Sequence, residues 1–283
     1  MQDLDGLTPL GEGLEAEVYL RPDGTVLKLM RSEELRARVE QEAVALAAVR
    51  GIGPYAPAAL GVVEHDGRPG LIMERVAGRS LMDVAAAKPW LAGRVAETMA
   101  VLHLRIHAHP APDDLPDLHT ELRQRIEAAA GPPAGLPERL AAFALALLDE
   151  LPRGDRICHN DLHLGNVLGD NVLGDNGTVM AIDWADAWRG DPIADVARTT
   201  LLHRAASVPP GPAAPRIVLP LLRRVIVRRY LHRYQQGRAI DAAVLRRWEL
   251  VRAAARCVES INDGDRAWLL AHLAAAHRRQ AAG

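Results

Sequence analysis

Over the first 75 or so residues, apolar and polar positions alternate in short runs; beyond that point apolar residues recur mainly at helical spacing. Residues 8–20 predict two strands around a glycine-bearing turn. Residues 25–30 predict a third, announced by Pro22-Asp23-Gly24. A helix over 32–50 follows: Ser32 suits its N-cap, Glu33 and Glu34 complement its dipole, and Gly51 stands where a C-terminal cap belongs. Two more strands are expected at 59–64 and 70–74, joined by the turn Asp66-Gly67. From Ser80 onward helices are expected at 90–108, 118–130, 137–150, 192–205, 213–236, 241–260 and 263–281. The exception is an island of strands and loops at 155–184. A small β-rich part followed by a larger helical part predicts a bilobal α+β protein, divided into 1–75 and 76–283.

Composition narrows the classes. The chain has 283 residues, 49% of them hydrophobic, enough for a substantial core. Two distant cysteines, Cys158 and Cys257, argue against a disulfide scaffold and for a reducing compartment. No basic region followed by an apolar one opens the chain, and the longest uncharged apolar stretch is too short to span a bilayer. The expectation is a soluble, cytoplasmic protein, monomeric or weakly dimeric, without a membrane partner. A net charge of −2 selects no partner, although 198–256 holds thirteen arginines against two acids. Few aromatics interleave with them, so the run reads as solvated helix faces, as at Arg223-Arg224 and Arg228-Arg229, and not as a nucleic-acid surface.

The chemistry concentrates in the island. His159-Asn160-Asp161-Leu162-His163-Leu164-Gly165-Asn166 is followed by Ala181-Ile182-Asp183-Trp184. Two carboxylates and an amide on loops at strand ends suit magnesium and a proton-accepting base, because magnesium takes hard oxygen ligands and few carboxylates. A second signal comes from helix 32–50. Its apolar stripe, Leu35, Val39, Leu46 and Val49, also includes position 42, where the residue is Glu42. An inward carboxylate needs a cation, and Lys28, set inside the apolar strand Val26–Met30, is the natural partner.

The spacing from His159 to Asn166, H-x-D-x-x-x-x-N, with Asp183 following, resembles the aminoglycoside phosphotransferase family of the protein-kinase-like superfamily. The resemblance implies ATP and Mg2+ as cofactors and transfer of the γ-phosphoryl group to a hydroxyl of a small molecule. Asp161 would be the base that orients that hydroxyl, and Asn166 and Asp183 would hold magnesium. His159 would brace the loop, and His163 would contact phosphate. Lys28, paired with Glu42, would hold the α- and β-phosphates. Gly11-Glu12-Gly13-Leu14-Glu15-Ala16-Glu17-Val18 resembles the phosphate-covering loop, with Ala16 in place of its third glycine, so Glu12, Glu15 and Glu17 should point outward. Residues 71–78 resemble the hinge, where Met73 would back the adenine and the Glu74 and Val76 backbones would bond its edge.

The acceptor is open: an aminoglycoside or other antibiotic, an amino sugar or an amino alcohol. Glu259 could meet a cationic group, and Trp188 could stack on a sugar or amine, with core packing as its commoner use. His103, His107 and His109 lack a carboxylate framework in the sequence and are not assigned a metal. A protein kinase is the first rival, set back by the short segment between Asp183 and Asp195. A catalytically inactive ATP-binding module is the second, set back by the complete residue set.

One oddity remains. Asn166-Val167-Leu168-Gly169-Asp170 is repeated at once as Asn171-Val172-Leu173-Gly174-Asp175. Either copy could pair with a return strand at 179–182. The short loop from Asp161 favours Asn166 as the ligand and places 169–178 in a hairpin tip.

Overall fold

The computed structural model describes residues 6–170, 178–205 and 213–281. Its N-terminal region is a five-stranded antiparallel sheet in the order β1-β2-β3-β5-β4, with β1 at Thr8–Glu12, β2 at Ala16–Leu20, β3 at Val26–Met30, β4 at Ala59–His65 and β5 at Arg68–Met73. Helix α1, Arg36–Ile52, packs on one face. Side chains alternate across a strand, so β3 sends Leu27 and Leu29 to a small cluster with Ile72 on the face away from α1. Val26, Lys28 and Met30 point the other way, and Val26 and Met30 join the main core with Val39, Leu46 and Val49 of α1. Ser32 caps the short 3-10 turn that leads into α1, accepting from the Glu34 N–H. The helix passes Gly51 and ends at Ile52. Gly53 is the stop instead, because at φ 154° a Cβ there would lie 2.6 Å from the Tyr55 ring.

A connection leads out of β5 through β6 (Arg79–Ser80) and the short helix α2 (Leu81–Ala87), whose Ser80–Asp83 capping box fixes its start. Gly78 lies against β8 so closely that a Cβ would stand 2.1 Å from the Gly169 carbonyl, which only glycine permits. Helices α3 (Ala92–His107), α4 (Leu118–Ala129) and α5 (Glu138–Glu150) follow, then β7 (Arg156–Cys158), β8 (Val167–Asp170), β9 (Thr178–Ala181) and β10 (Trp188–Gly190). The chain closes with α6 (Pro192–Ala205), α7 (Ala213–Gln235), α8 (Ala242–Arg256) and α9 (Asp263–Ala281). Helix α3 packs on α7, and α6 on α8. The fold is α+β, a sheet-rich N-terminal region and a helical C-terminal one. No helix among the described residues is long and apolar enough to cross a membrane.

The first copy of the tandem repeat is paired with β9. Val167↔Ala181 through Asp170↔Thr178 form a regular antiparallel ladder, so Gly169, Asp170 and Thr178 belong to strands and not to the tip. Residues 171–177, including Asn171, lie outside the described residues.

Candidate active site

Residues of β3, α1 and the loops after β7 and β9 meet beneath the sheet. From β3 comes Lys28, whose Nζ donates to Glu42 Oε2 at 2.7 Å and to Asp183 Oδ1 at 2.6 Å. Glu42 is buried on α1, and its second oxygen accepts from the Trp184 N–H at 3.1 Å. One carboxylate therefore positions both the lysine and the backbone beside Asp183. Burial works against the Lys28 ammonium, but Glu42 and Asp183 outweigh it and hold its pKa above the ordinary lysine value. Desolvation works against the Asp183 carboxylate too, but the Lys28 contact outweighs it and holds its pKa below the ordinary aspartate value.

The loop after β7 forms the other side of the site. Asn160 and Asp183 both adopt left-handed backbone, at φ 63° and 65°, a conformation that asparagine and aspartate enter more readily than most residues and that recurs at functional sites. The surroundings of Asn160 hold it in that conformation. Asp195, wholly buried in the first turn of α6, accepts from the His159 N–H at 2.5 Å and the Asn160 N–H at 2.9 Å. Arg198 Nε donates to the Asn160 carbonyl at 3.1 Å, and Arg252 donates to the Asn160 side-chain oxygen. The His159 ring links the two loops, donating from Nε2 to the Ile182 carbonyl at 3.0 Å and accepting the Asp161 N–H at Nδ1.

Asp161 emerges from this frame partly exposed. Asn166 Nδ2 donates to the Asp161 carbonyl at 3.0 Å and to its Oδ2 at 3.2 Å, which leaves the Asn166 side-chain oxygen as its free end. Asn166 in turn sits beside Asp183, since the Ile182 N–H donates to the Asn166 carbonyl at 2.9 Å. His163 Nδ1 accepts the Gly165 N–H at 3.0 Å, so its ring proton sits on Nε2, 3.8 Å from Asp161 Oδ2. Burial pushes the Asp161 carboxyl above its ordinary value, with Arg198 and His163 pulling against the rise. Burial also lowers the His163 pKa, keeping the ring neutral near pH 7.

The remaining candidates fall at the rim or apart from it. Gly11 and Gly13 flank the β1–β2 turn, and Val18 faces Lys28 across the β2–β3 ladder. Glu12, Glu15 and Glu17 are met by Arg31, Arg38 and Arg31 respectively, each at 3.0 Å, so the loop acids are drawn away from the site. Met73 ends β5 in the core, and Val76 is half-buried beyond it. The Glu74 N–H is already donated to the Ala58 carbonyl at 2.8 Å, leaving the Glu74 carbonyl as its open backbone group. Glu259 is drawn into a cluster of arginines: Arg198 lies at 2.8 Å, Arg256 at 3.6 Å and Arg125 at 3.8 Å. Trp188 is buried, with the Arg125 guanidinium over its ring at 4.6 Å and that of Arg252 at 5.6 Å.

Two features were not legible in the sequence. Arg198, Arg252 and Arg256 are buried, and the first two grip the loop at Asn160, whereas the pattern reads the arginine run as solvated faces; stretches such as Arg224, Arg228 and Arg229 behave so. The Arg252 and Arg256 spacing of four, on a helix face shared with Trp248 and Glu249, was the available signal. His103 and His107 do have a carboxylate, Asp195, which arrives from α6: their Nε2 atoms lie at 2.9 and 3.2 Å from it. Their Nδ1 atoms are each 2.6 Å from a tyrosine hydroxyl, Tyr230 and Tyr234, so the ring nitrogens are satisfied by hydrogen bonds. Burial lowers the His107 pKa to about 3. Burial opposes ionisation of Asp195, but the histidine contacts hold its pKa well below the ordinary value.

Across residues 6–217 the chain matches the phosphotransferase enzyme family, and it belongs to that family. No curated sequence relative matches it. Solved structures share the fold. A thermostable mutant of aminoglycoside phosphotransferase APH(4)-Ia, in ternary complex with AMP-PNP and hygromycin B, superposes with a TM-score of 0.66 at 19% identity, over 97% of this chain and 93% of that one. The type VIII aminoglycoside-3'-phosphotransferase gives 0.64 at 21% identity, over 87% and 93%. APH(3'')-Id from Streptomyces rimosus, with ADP and streptomycin, gives 0.56 at 22% identity, over 88% and 92%.

Proposed function

We propose that this phosphotransferase moves the γ-phosphoryl group of ATP to a hydroxyl of a small molecule, with residues 1–75 contributing most of the nucleotide site and 76–283 the acceptor site. The observation that carries the reading is the convergence of five residues from distant parts of the chain: Glu42 and Asp183 on one lysine, Lys28, and Asn166 on Asp161.

Lys28 is the phosphate-holding cation. Glu42 keeps it extended, and Asp183 occupies the ammonium until nucleotide arrives. The Asp183 carboxylate and the free oxygen of Asn166 form a hard-oxygen donor set that fits Mg2+, which when bound would neutralise charge on the phosphate oxygens. The open carbonyl of Glu74 and the Val76 N–H serve an adenine edge, with Met73 behind it. Asp161, held by its loop and by Asn166, accepts a hydrogen bond from the acceptor hydroxyl, aligns its oxygen toward phosphorus and takes the proton as the ester bond forms. His163, neutral and with its proton on Nε2, donates toward the transferring phosphoryl group. Cys158 and Cys257, both buried and unpaired, accord with a cytoplasmic enzyme.

A coupled assay of ADP release against aminoglycosides, macrolides, amino sugars and amino alcohols tests the transfer. Acceptor-dependent ADP release that needs Mg2+ is expected. Nucleotide binding with no turnover on any acceptor would point instead to an ATP-binding module.

A further inference from the structure

Arg198, on α6, stands behind the Asp161 carboxylate with each of its three guanidinium nitrogens directed at a different oxygen. Nε donates to the Asn160 carbonyl at 3.1 Å. Nη1 lies 2.8 Å from Glu259 Oε1, and Nη2 stands 3.5 Å from Asp161 Oδ1. A charge-assisted N–H···O contact spans about 2.7 to 2.9 Å, so Arg198 is in full contact with Glu259 and held just short of Asp161. The arginine is 7% exposed, so its charge cannot turn to water and is shared between the two carboxylates.

The two oxygens of Asp161 therefore differ. Oδ2 accepts from Asn166 Nδ2 at 3.2 Å. Among the described residues no hydrogen bond reaches Oδ1, because the guanidinium facing it stops short. Oδ1 is the oxygen left for an acceptor hydroxyl, and Arg198 would occupy it by closing the gap.

Glu259 holds the gap open. Its place after α8 is fixed by its N–H, which donates to the Arg256 carbonyl at 3.0 Å, and by its carbonyl, which accepts from the Ile261 N–H at 2.9 Å. Arg266 of α9 fastens the same turn, donating to the Cys257 carbonyl at 2.7 Å. The Glu259 carboxylate also meets Arg256 at 3.6 Å and Arg125 at 3.8 Å. Arg125 is paired with Asp186 at 2.6 Å, and Arg256 faces Asp265 at 3.9 Å, which leaves Arg198 as the closest partner of Glu259.

We propose that Glu259 is a positioning residue: it draws the Arg198 guanidinium away from Asp161 Oδ1 and keeps that oxygen free for the acceptor hydroxyl. The role of Asp161 in this rests on the phosphotransferase reading, whereas the hold on Arg198 stands on the contacts alone. During transfer the acceptor oxygen bonds to phosphorus, the bond from phosphorus to the ADP oxygen breaks, and the hydroxyl proton passes to Oδ1. Glu259 touches none of these atoms. Nor is it a free receptor for an amine, since its carboxylate already faces three guanidinium groups.

Crystal structures of the parent and of Glu259→Ala test the hold directly. In the variant the distance from Arg198 Nη2 to Asp161 Oδ1 should shorten to about 2.9 Å. A gap that keeps its parental length overturns the proposal. The kinetic arm follows Mg·ATP hydrolysis by the whole chain, with water in place of the acceptor, and thermal unfolding of each variant gives kcat per folded molecule. Glu259→Ala should lower kcat by at least about tenfold and leave KM for Mg·ATP within about twofold, a share of the roughly 10²- to 10⁴-fold that a positioned base supplies. Glu259→Gln, which keeps an oxygen for Arg198, should fall between. Adding Arg198→Gln to Glu259→Ala clears Oδ1 and should recover at least about threefold. In an Asp161→Asn background Glu259→Ala should cost nothing further, because its effect runs through that carboxylate. Where Asp161→Asn lowers the rate, an unchanged kcat in Glu259→Ala, or the same fold-loss in both backgrounds, overturns the proposal. Where Asp161→Asn hydrolyses ATP at the parental rate, the phosphotransferase reading is what fails, and the crystal distance alone decides whether Glu259 holds Arg198.

Discussion

On the sheet side of the site, cations and carboxylates are matched. Lys28 lies between Glu42 and Asp183, and the acids of the β1–β2 loop each meet an arginine. On the helix side the matching is looser: Arg252 gives its hydrogen bonds to the neutral Ala194 carbonyl and Asn160 side chain, and the carboxylates nearest Arg256 stand at 3.6 and 3.9 Å. On the sheet side, paired charges fix Lys28, whereas the loop after β7 is fixed by hydrogen bonds, from Arg198 and Arg252 to Asn160 and from the loop backbone to Asp195. One side therefore depends on charge pairing and the other on donors and acceptors brought together by helix packing.

The first way to break this comparison is to remove the carboxylate on which both sides depend. Asp195 accepts two ring N–H groups and two backbone N–H groups in a fully buried place. Asp195→Ala leaves all four donors without an acceptor and should cost about 3 to 5 kcal/mol in urea unfolding. A loss below about 1 kcal/mol would mean that the loop after β7 is held by something else.

Next in size is coupling across the matched pair. Lys28→Met and Glu42→Gln should each impair kcat/KM for ATP, and the double variant should be less impaired than the two effects summed. The expected interaction energy is roughly 0.5 to 3 kcal/mol. Strict additivity would show that the 2.7 Å contact does not operate in the working enzyme.

A smaller effect should appear in pH dependence. Asp161 must be ionised to accept a proton, and burial raises its folded pKa. Activity is therefore present above that raised value and lost as pH falls through it, so the acid limb of kcat/KM should lie above the ordinary aspartate value of about 3.9. Arg198→Gln removes an opposing positive charge and should move the limb higher still. A limb at or below the ordinary value, or a downward shift in the variant, would remove Arg198 from the account.

The smallest effect concerns the repeat. Asp170 pairs directly with Thr178, so deleting 171–175 would leave Asn176-Gly177 as a two-residue link, a sequence that suits a tight hairpin. Stability should change by less than about 0.5 kcal/mol, and activity should persist. A large loss of either would show that the second copy has a role of its own.

Much of this was legible in the chain, and unevenly so. Most of the elements and the Lys28–Glu42 contact follow from local periodicity, with the short β6, α2 and β10 outside it: a stripe on one helix points at one strand, and alternation in β3 sends Lys28 to the α1 side. The spacing from His159 to Asn166 is likewise local. Arg125, Arg198, Arg252 and Arg256 come together only through the packing of α4, α6 and α8, and beyond the four-residue spacing of Arg252 and Arg256 from Trp248 nothing in a run of arginines says which will be buried. The same holds for His103 and His107, whose carboxylate lies on a helix far along the chain. Helix ends were also less legible: Gly51 suits a cap, yet the contact between Gly53 and the Tyr55 ring selects the later glycine.

The central claim is that Asp161 aligns and deprotonates an acceptor hydroxyl without being needed to hold the nucleotide. Asp161→Asn keeps the shape and the contact to Asn166 while removing the base. Phosphate-ester formation from Mg·ATP, followed by 31P NMR together with Mg·ATP affinity, tests this most directly. The account predicts a rate lower by about 10²- to 10⁴-fold, with nucleotide affinity close to that of the parent. Ester formation at the parental rate would contradict it.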